Sequence, residues 1–181
     1  MDEVVIAELA PERTGVLECA TWTALNWESR RFTLDQVRTS PDFVRYTRLV
    51  PERGDLGVVA ECADTLVGVA TLLFLPEEDA GYGWVAPDVP ELTLAVMRGH
   101  RHQGWGRRLL HAVLDRARGR GIRQVSLSVE PANRAAVALY RSEGFSDLPG
   151  REEDGVMVLD LAPGPAGRRS GGAGVGADGA S

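Results

Sequence analysis

Residues 91–110 place a strand, a glycine-bearing turn and a helix start in immediate succession: Glu91-Leu-Thr-Leu-Ala-Val-Met97, then Arg98 to Gly104, then Trp105-Gly-Arg-Arg-Leu-Leu110. No other stretch constrains the chain as much, because a strand entering a helix this way converges backbone N–H groups where the helix begins. Gly104 and Gly106 carry no Cβ to block close approach, and Arg101 adds a positive charge beside them. The turn is expected to hold a pyrophosphate. Gly99, Gly104 and Gly106 do not fit the Gly-x-Gly-x-x-Gly register of a dinucleotide fold, and no Gly-Lys-Ser/Thr phosphate loop occurs.

Downstream, Ser126 to Glu130 alternates as a strand, Pro131-Ala132-Asn133 forms a turn and cap, Arg134 to Ser142 is helical, and Gly144-Phe145 ends the helix. Arg101-x-x-Gly104-x-Gly106 between strand and amphipathic helix resembles the acyl-CoA signature of the GNAT superfamily of N-acetyltransferases. The order Asn133, Tyr140, Gly144, Phe145 resembles that family's second block. Gly81-Tyr82-Gly83 and Pro90-Glu91-Leu92 are similar to pairs in uncharacterised, standalone bacterial members. The resemblance covers roughly residues 4 to 161. It implies an α/β fold with a mixed central sheet, one strand of which is splayed and bulged, flanked by helices.

By the same resemblance the chain moves an acetyl group from acetyl-CoA to a primary amine by direct attack in a ternary complex. Leu94, Ala95, Val96 and Met97 supply backbone groups to pantetheine and the acyl carbonyl. Arg101, His102, Gln103, Gly104, Trp105, Gly106 and Arg107 form the pyrophosphate turn. Tyr140 sits where the family's general acid stands, and Glu91 where many members place the acid that accepts the amine proton. With a reference pKa of ~4.3, Glu91 needs desolvation or a water relay for that task. Asn133 either bonds coenzyme A or the strand edge, or caps its helix. Trp27, Tyr82 and Trp84, with Phe43, are candidates for an acceptor pocket, although most aromatics are core. The chain departs from the family pattern at Arg98, His102, Trp105 and Arg134, where Pro, Gly, a small aliphatic and Pro are common.

Other readings compete. A non-catalytic acyl-CoA-binding module would keep the turn, and a peptide or protein N-terminal acetyltransferase would use the same chemistry on another acceptor. His100 and His102 read as surface residues, the acids Asp147, Glu152, Glu153 and Asp154 as a solvated loop, and no spacing suggests a metal.

At 181 residues, with 44% hydrophobic and 25% charged side chains, the chain fits one globular domain. Its net charge of -6 argues against nucleic acid, which demands excess Lys and Arg. The apolar run Leu66 to Leu75 spans about half a membrane and reads as a core strand. Cys19 and Cys62 read as reduced thiols, and no basic-then-apolar leader begins the sequence, so a cytoplasmic location is expected, with a homodimer compatible.

Strands are expected at Val4–Leu9, Leu56–Glu61, Leu66–Phe74, Glu91–Met97 and Val156–Leu161. Cys62 to Thr65 joins the second and third. Helices are expected over 11–27, from Pro41 to Val50, and from Trp105 with Leu109, Leu110, Val113, Leu114 and Ala117 inward. Residues 1–162 form the domain, and the Gly/Ala-rich tail 163–181 has too little apolar surface to offset ordering and is expected to be disordered.

Overall fold

In the computed structural model, residues 3–161 are described, so the expectation for the 163–181 tail lies outside the described residues. Among the described residues, seven strands form one sheet in the order β1-β2-β3-β4-β5-β7-β6. Antiparallel pairing joins β1 (Val5–Glu8), β2 (Leu56–Cys62), β3 (Thr65–Leu73) and β4 (Glu91–Val96) in turn. It also joins β5 (Gln124–Ser128) to β7 (Val156–Asp160), and β7 to β6 (Ser146–Asp147). β4 and β5 are parallel, which requires a crossover, and α4 (Trp105–Gly119) provides it.

Side chains alternate across β4 with period two and divide the core. Leu92, Leu94 and Val96 join α4 and α5 (Arg134–Ser142) on one face. Ala95 joins Leu17 and Ala20 of α1 (Thr14–Leu25), together with Tyr46, Val59, Val69 and Leu73, on the other. Glu91 and Thr93 share that second face by alternation. The apolar stripe of α4 is buried as its spacing requires: Leu109, Leu110, Val113 and Ala117 expose none of their surface and Leu114 almost none.

Four local expectations change. The β2–β3 connection is the two-residue turn Ala63-Asp64, both with positive φ, because Cys62 and Thr65 pair as strand ends. The early helix ends at Leu25 rather than Trp27. There Asn26, almost fully buried, donates to the carbonyls of Trp22 and Phe32 and accepts from the N–H groups of Arg31 and Phe32, knotting the next loop. The expected helix from Pro41 is one turn, α3 (Pro41–Val44), continued by a 3-10 turn over Arg45–Thr47. Before it stands a helix not anticipated, α2 (Leu34–Thr39), started by a capping box between Thr33 and Gln36.

Candidate active site

β4 and β5 meet at one bridge, Glu91 to Ser126, and part beyond it. The splay falls where expected, but the register shift does not. It lies between β2 and β3 at Ala60/Glu61, while β4 pairs with β3 without interruption from Glu91 to Val96. Met97 N–H bonds Val67 O at 3.0 Å, so the odd-numbered residues of this strand turn their backbone groups toward β3. Leu94 and Val96 therefore direct theirs into the opening beside β5. This corrects the expectation for Ala95, whose backbone groups are spent on β3, and for Met97, whose N–H goes to Val67 O and whose carbonyl accepts from His100 N–H.

The open edge leads to the N-terminus of α4. The first helical bond recorded there runs from Arg108 N–H to Gly104 O, leaving the N–H groups of Trp105, Gly106 and Arg107 without intrahelical partners. Gly104 has φ +82°, and a Cβ there would meet nothing within 4 Å, so backbone conformation rather than crowding calls for glycine. At Gly106 the reverse holds: a Cβ would press on Leu139 Cδ2 at 3.3 Å. His102 also adopts a positive φ, +61°, a conformation that glycine takes without strain. Trp105 does not obstruct the turn, because its side chain is buried in the core with the Arg108 guanidinium 4.1 Å above the ring.

Arg101 is placed differently from expectation. Its Nε donates to Val96 O and its Nη1 to Trp27 O, so it ties the end of β4 to the loop after α1 as well as bordering the cleft. Arg107 pairs with Glu143 and donates to Ser142 Oγ.

One cavity of about 1260 Å³ gathers most of these groups. Its lining includes Glu91, Leu94, Ala95, Val96, Arg101, His102, Gly104, Trp105, Gly106, Arg107, Asn133 and Tyr140, with Trp27 and Tyr82. Three expected site residues lie outside it. Met97 contacts Cys19 and Thr23 of α1, Gln103 is exposed and bonds Gly99 O, and Trp84 donates its indole N–H to Leu75 O in the α1-side core. Asn133 caps α5 by accepting from Ala136 N–H, which answers the capping alternative directly.

Glu91 is 4% exposed. Its Oε1 accepts from Tyr46 Oη at 2.9 Å and from Gly83 N–H at 3.0 Å, while buried Oε2 has no hydrogen-bond partner among the described residues. Burial pushes its pKa up to about 6 against the lowering effect of those two donors and Arg45. Gly81 and Gly83 permit this arrangement: a Cβ on Gly81 would overlap Glu91 Oε2 and Tyr46 Oη, and one on Gly83 would strike the Leu127 carbonyl carbon at 2.5 Å. Tyr140, 7% exposed, packs edge-on to Phe145, and its hydroxyl takes no hydrogen bond from a described residue. Burial raises its pKa well above the ordinary tyrosine value, so it stays protonated.

Sequence reasoning missed two further parts of the site. Tyr46 was legible only as an apolar-face residue. Arg31 reaches across from the loop after α1 to form a two-pronged ion pair with Glu130, at 3.1 and 2.5 Å, and both residues border the cavity. No pattern in the sequence joins positions 31 and 130. Among the described residues no helix is long and apolar enough to cross a membrane.

The model of the acetyltransferase (GNAT) family matches residues 20–145. The chain is 34% identical over 80 residues to a [ribosomal protein bS18]-alanine N-acetyltransferase of Escherichia coli strain K12, covering 39% of this chain and 54% of that protein. It is 43% identical over 89 residues to N-alpha-acetyltransferase RimI of Mycobacterium tuberculosis, covering 49% and 50%. The chain spans about half the length of these relatives. Its fold is similar to that of the PaiA N-acetyltransferase of Thermoplasma acidophilum, solved with coenzyme A, at a TM-score of 0.63 and 18% identity over 88% of this chain and 99% of that one.

Proposed function

Because the chain belongs to the acetyltransferase (GNAT) family, we propose that it moves an acetyl group from acetyl-CoA to a primary amine by direct attack in a ternary complex. The observation that carries this reading is the position of Glu91: a buried carboxylate where β4 and β5 part, in the same cavity as the uncapped N-terminus of α4. A module that only binds acyl-CoA has no use for a carboxylate kept there against its desolvation cost.

The residues present fit the cofactor. The N–H groups of Trp105, Gly106 and Arg107 offer donors and a helix dipole to a pyrophosphate. Leu94 N–H and C=O and Val96 N–H offer a strand edge to an amide-bearing chain. Acetyl-CoA supplies the activated thioester. Glu91 accepts the amine proton, directly or through a water, and a pKa of about 6 keeps it mostly ionised at neutral pH yet basic enough to act. Tyr140 donates its proton to the departing sulfur, for which its hydroxyl is unengaged. Trp27 and Tyr82 line the acceptor side.

Residues 1–162 act as the catalytic domain, in the cytoplasm. The acceptor is a small-molecule or peptide amine. The names of the Escherichia coli and Mycobacterium tuberculosis relatives make an α-amino terminus the first acceptor class to examine. Light scattering decides between monomer and homodimer. A panel of small amines and short peptides, assayed by release of free thiol from acetyl-CoA, tests the activity. Turnover with at least one amine, lost in Glu91→Gln, is expected; tight acetyl-CoA binding with no turnover on any acceptor would favour the binding module.

A further inference from the structure

The two donors on Glu91 both address the same oxygen, Oε1, and leave Oε2 bare. One is a main-chain amide, Gly83 N–H. The other is Tyr46 Oη, contributed from 45 residues earlier by the 3-10 turn after α3. The direction of the Tyr46 proton is set by its surroundings. Tyr46 Oη accepts from Tyr82 N–H at 2.8 Å, so its single proton is free to point at the carboxylate. The ring is 8% exposed, lies parallel to that of Tyr82 with centroids 6.4 Å apart, and its backbone carbonyl is held by Thr21 Oγ1.

We propose that Tyr46 is a positioning residue for proton transfer: by donating to Oε1 it turns the Glu91 carboxylate so that Oε2 is the oxygen that takes the amine proton. The proposal rests on the reading of Glu91 as proton acceptor. As the amine nitrogen bonds to the acyl carbon, its proton passes to Oε2 and the electron pair of the broken C–S bond leaves on sulfur, which Tyr140 protonates. Two donors on one oxygen concentrate the remaining basicity on the other, and an orphaned buried acceptor is the atom most favoured by a proton.

The surroundings of the carboxylate are few. Arg45 faces it from the same turn as Tyr46, but its guanidinium is engaged by Asp42, Asp79 and the carbonyls of Pro41 and Ala80. Tyr82 approaches from the loop and Ser126 from β5, its buried hydroxyl without a hydrogen-bond partner among the described residues. Tyr46 is thus the one side chain that hydrogen-bonds the carboxylate among the described residues. Burial keeps its phenol protonated through the range in which Glu91 titrates.

The test follows the carboxyl itself. In protein carrying 13C-labelled glutamate, the Glu91 signal is assigned by its loss in Glu91→Gln and titrated in wild type and in Tyr46→Phe, which keeps the ring and removes only the oxygen. The pKa is expected to rise by about one unit in Tyr46→Phe. The acid limb of kcat/KM for the acceptor is expected to move by the same amount, with acetyl-CoA affinity unchanged. Replacing Tyr46 with 3-fluorotyrosine, a stronger donor, is expected to shift both downward, and keeps the test available if Tyr46→Phe folds poorly. The Tyr46→Phe, Glu91→Gln double variant is expected to be no slower than Glu91→Gln alone. An unmoved carboxyl titration, or a double variant slowed by the product of the single effects, would overturn the proposal. Wild-type protein that acetylates no amine would instead fail the functional reading, while the carboxyl titration, which needs no turnover, still decides the Tyr46 contact.

Discussion

Glu91 and Ser126 face each other at the single bridge between β4 and β5, and each keeps a buried side-chain oxygen without a hydrogen-bond partner among the described residues. The sheet stops pairing at the residue proposed to accept the amine proton. The backbone edge exposed by the divergence and the carboxylate at its origin are consequences of one geometric event, and several outcomes can be expected from it.

Replacing Glu91 with Gln is expected to trade rate for stability. The folded pKa, about 6, lies above the ordinary carboxylate value of 4.5, so the native state binds the proton more tightly than the unfolded chain. The stabilisation from that proton is complete below about pH 4.5 and is lost as pH rises through 6, a span worth about 2 kcal/mol. Glu91→Gln removes the ionisation. Its melting temperature should exceed that of wild type at pH 8, and the gap should close toward pH 4.5, while kcat falls about a hundredfold. Thermal melts across that range check the sign; a variant less stable at pH 8 would contradict it.

Alanine at Gly81 or Gly83 is expected to cost about 1 to 3 kcal/mol through overpacking, and to lower kcat by displacing the carboxylate or the loop that bonds it. Gly15 in α1 has nothing within 4 Å of an added Cβ, and Gly15→Ala should gain about 0.5 to 1 kcal/mol without touching the rate. Chemical denaturation of the three variants side by side gives the comparison.

At the cofactor end, Gly104→Glu adds negative charge at the N-terminus of α4, where the dipole favours anions, and forces a side chain into a positive-φ site. Acetyl-CoA should then lose its ability to raise the melting temperature, an effect that scales with ligand over Kd. Gly104→Ala should keep much of the affinity, since its Cβ meets no atom, while losing about 1 kcal/mol to backbone strain.

For Tyr140→Phe the expectation is a lower kcat with unchanged acetyl-CoA affinity, as for a group that acts mainly in the transition state. The hydroxyl bonds no described residue, so its removal should leave the fold as stable as before. Calorimetric binding alongside steady-state rates separates the two; an equal loss in affinity would make Tyr140 a binding residue instead.

Local pattern made much of this legible. The α4 stripe, the strand before it and the glycine turn are periodic or steric signals contained within a few residues. The Thr33-Leu-Asp-Gln36 capping box is a local signal of the same kind. What no local rule supplies is partnership across distance. Arg101 looks like a charge for phosphate, yet two of its donors go to carbonyls of Val96 and Trp27. Tyr82 and Trp84 stand two residues apart in one irregular loop. Only the path of that loop sends Tyr82 to the cavity mouth, 53% exposed, and Trp84 into the core. The meeting of Tyr46 with Glu91 depends on how a 3-10 turn lies over a sheet, which the spacing of apolar residues does not encode.

The cavity is lined by residues that precede β4, from Thr21 to Tyr82, by β4 itself, and by residues that follow it, from His100 to Asp154. The two tasks proposed for it, admitting an amine and gripping a thioester, would then draw on different stretches of the chain, joined by the Arg31–Glu130 and Arg101–Trp27 contacts. On that reading, substitutions between Thr21 and Tyr82 are expected to change which amine is admitted more than they change acetyl-CoA affinity. Chimeras that exchange residues 20–50 between relatives should accordingly transplant acceptor preference and leave acetyl-CoA affinity behind.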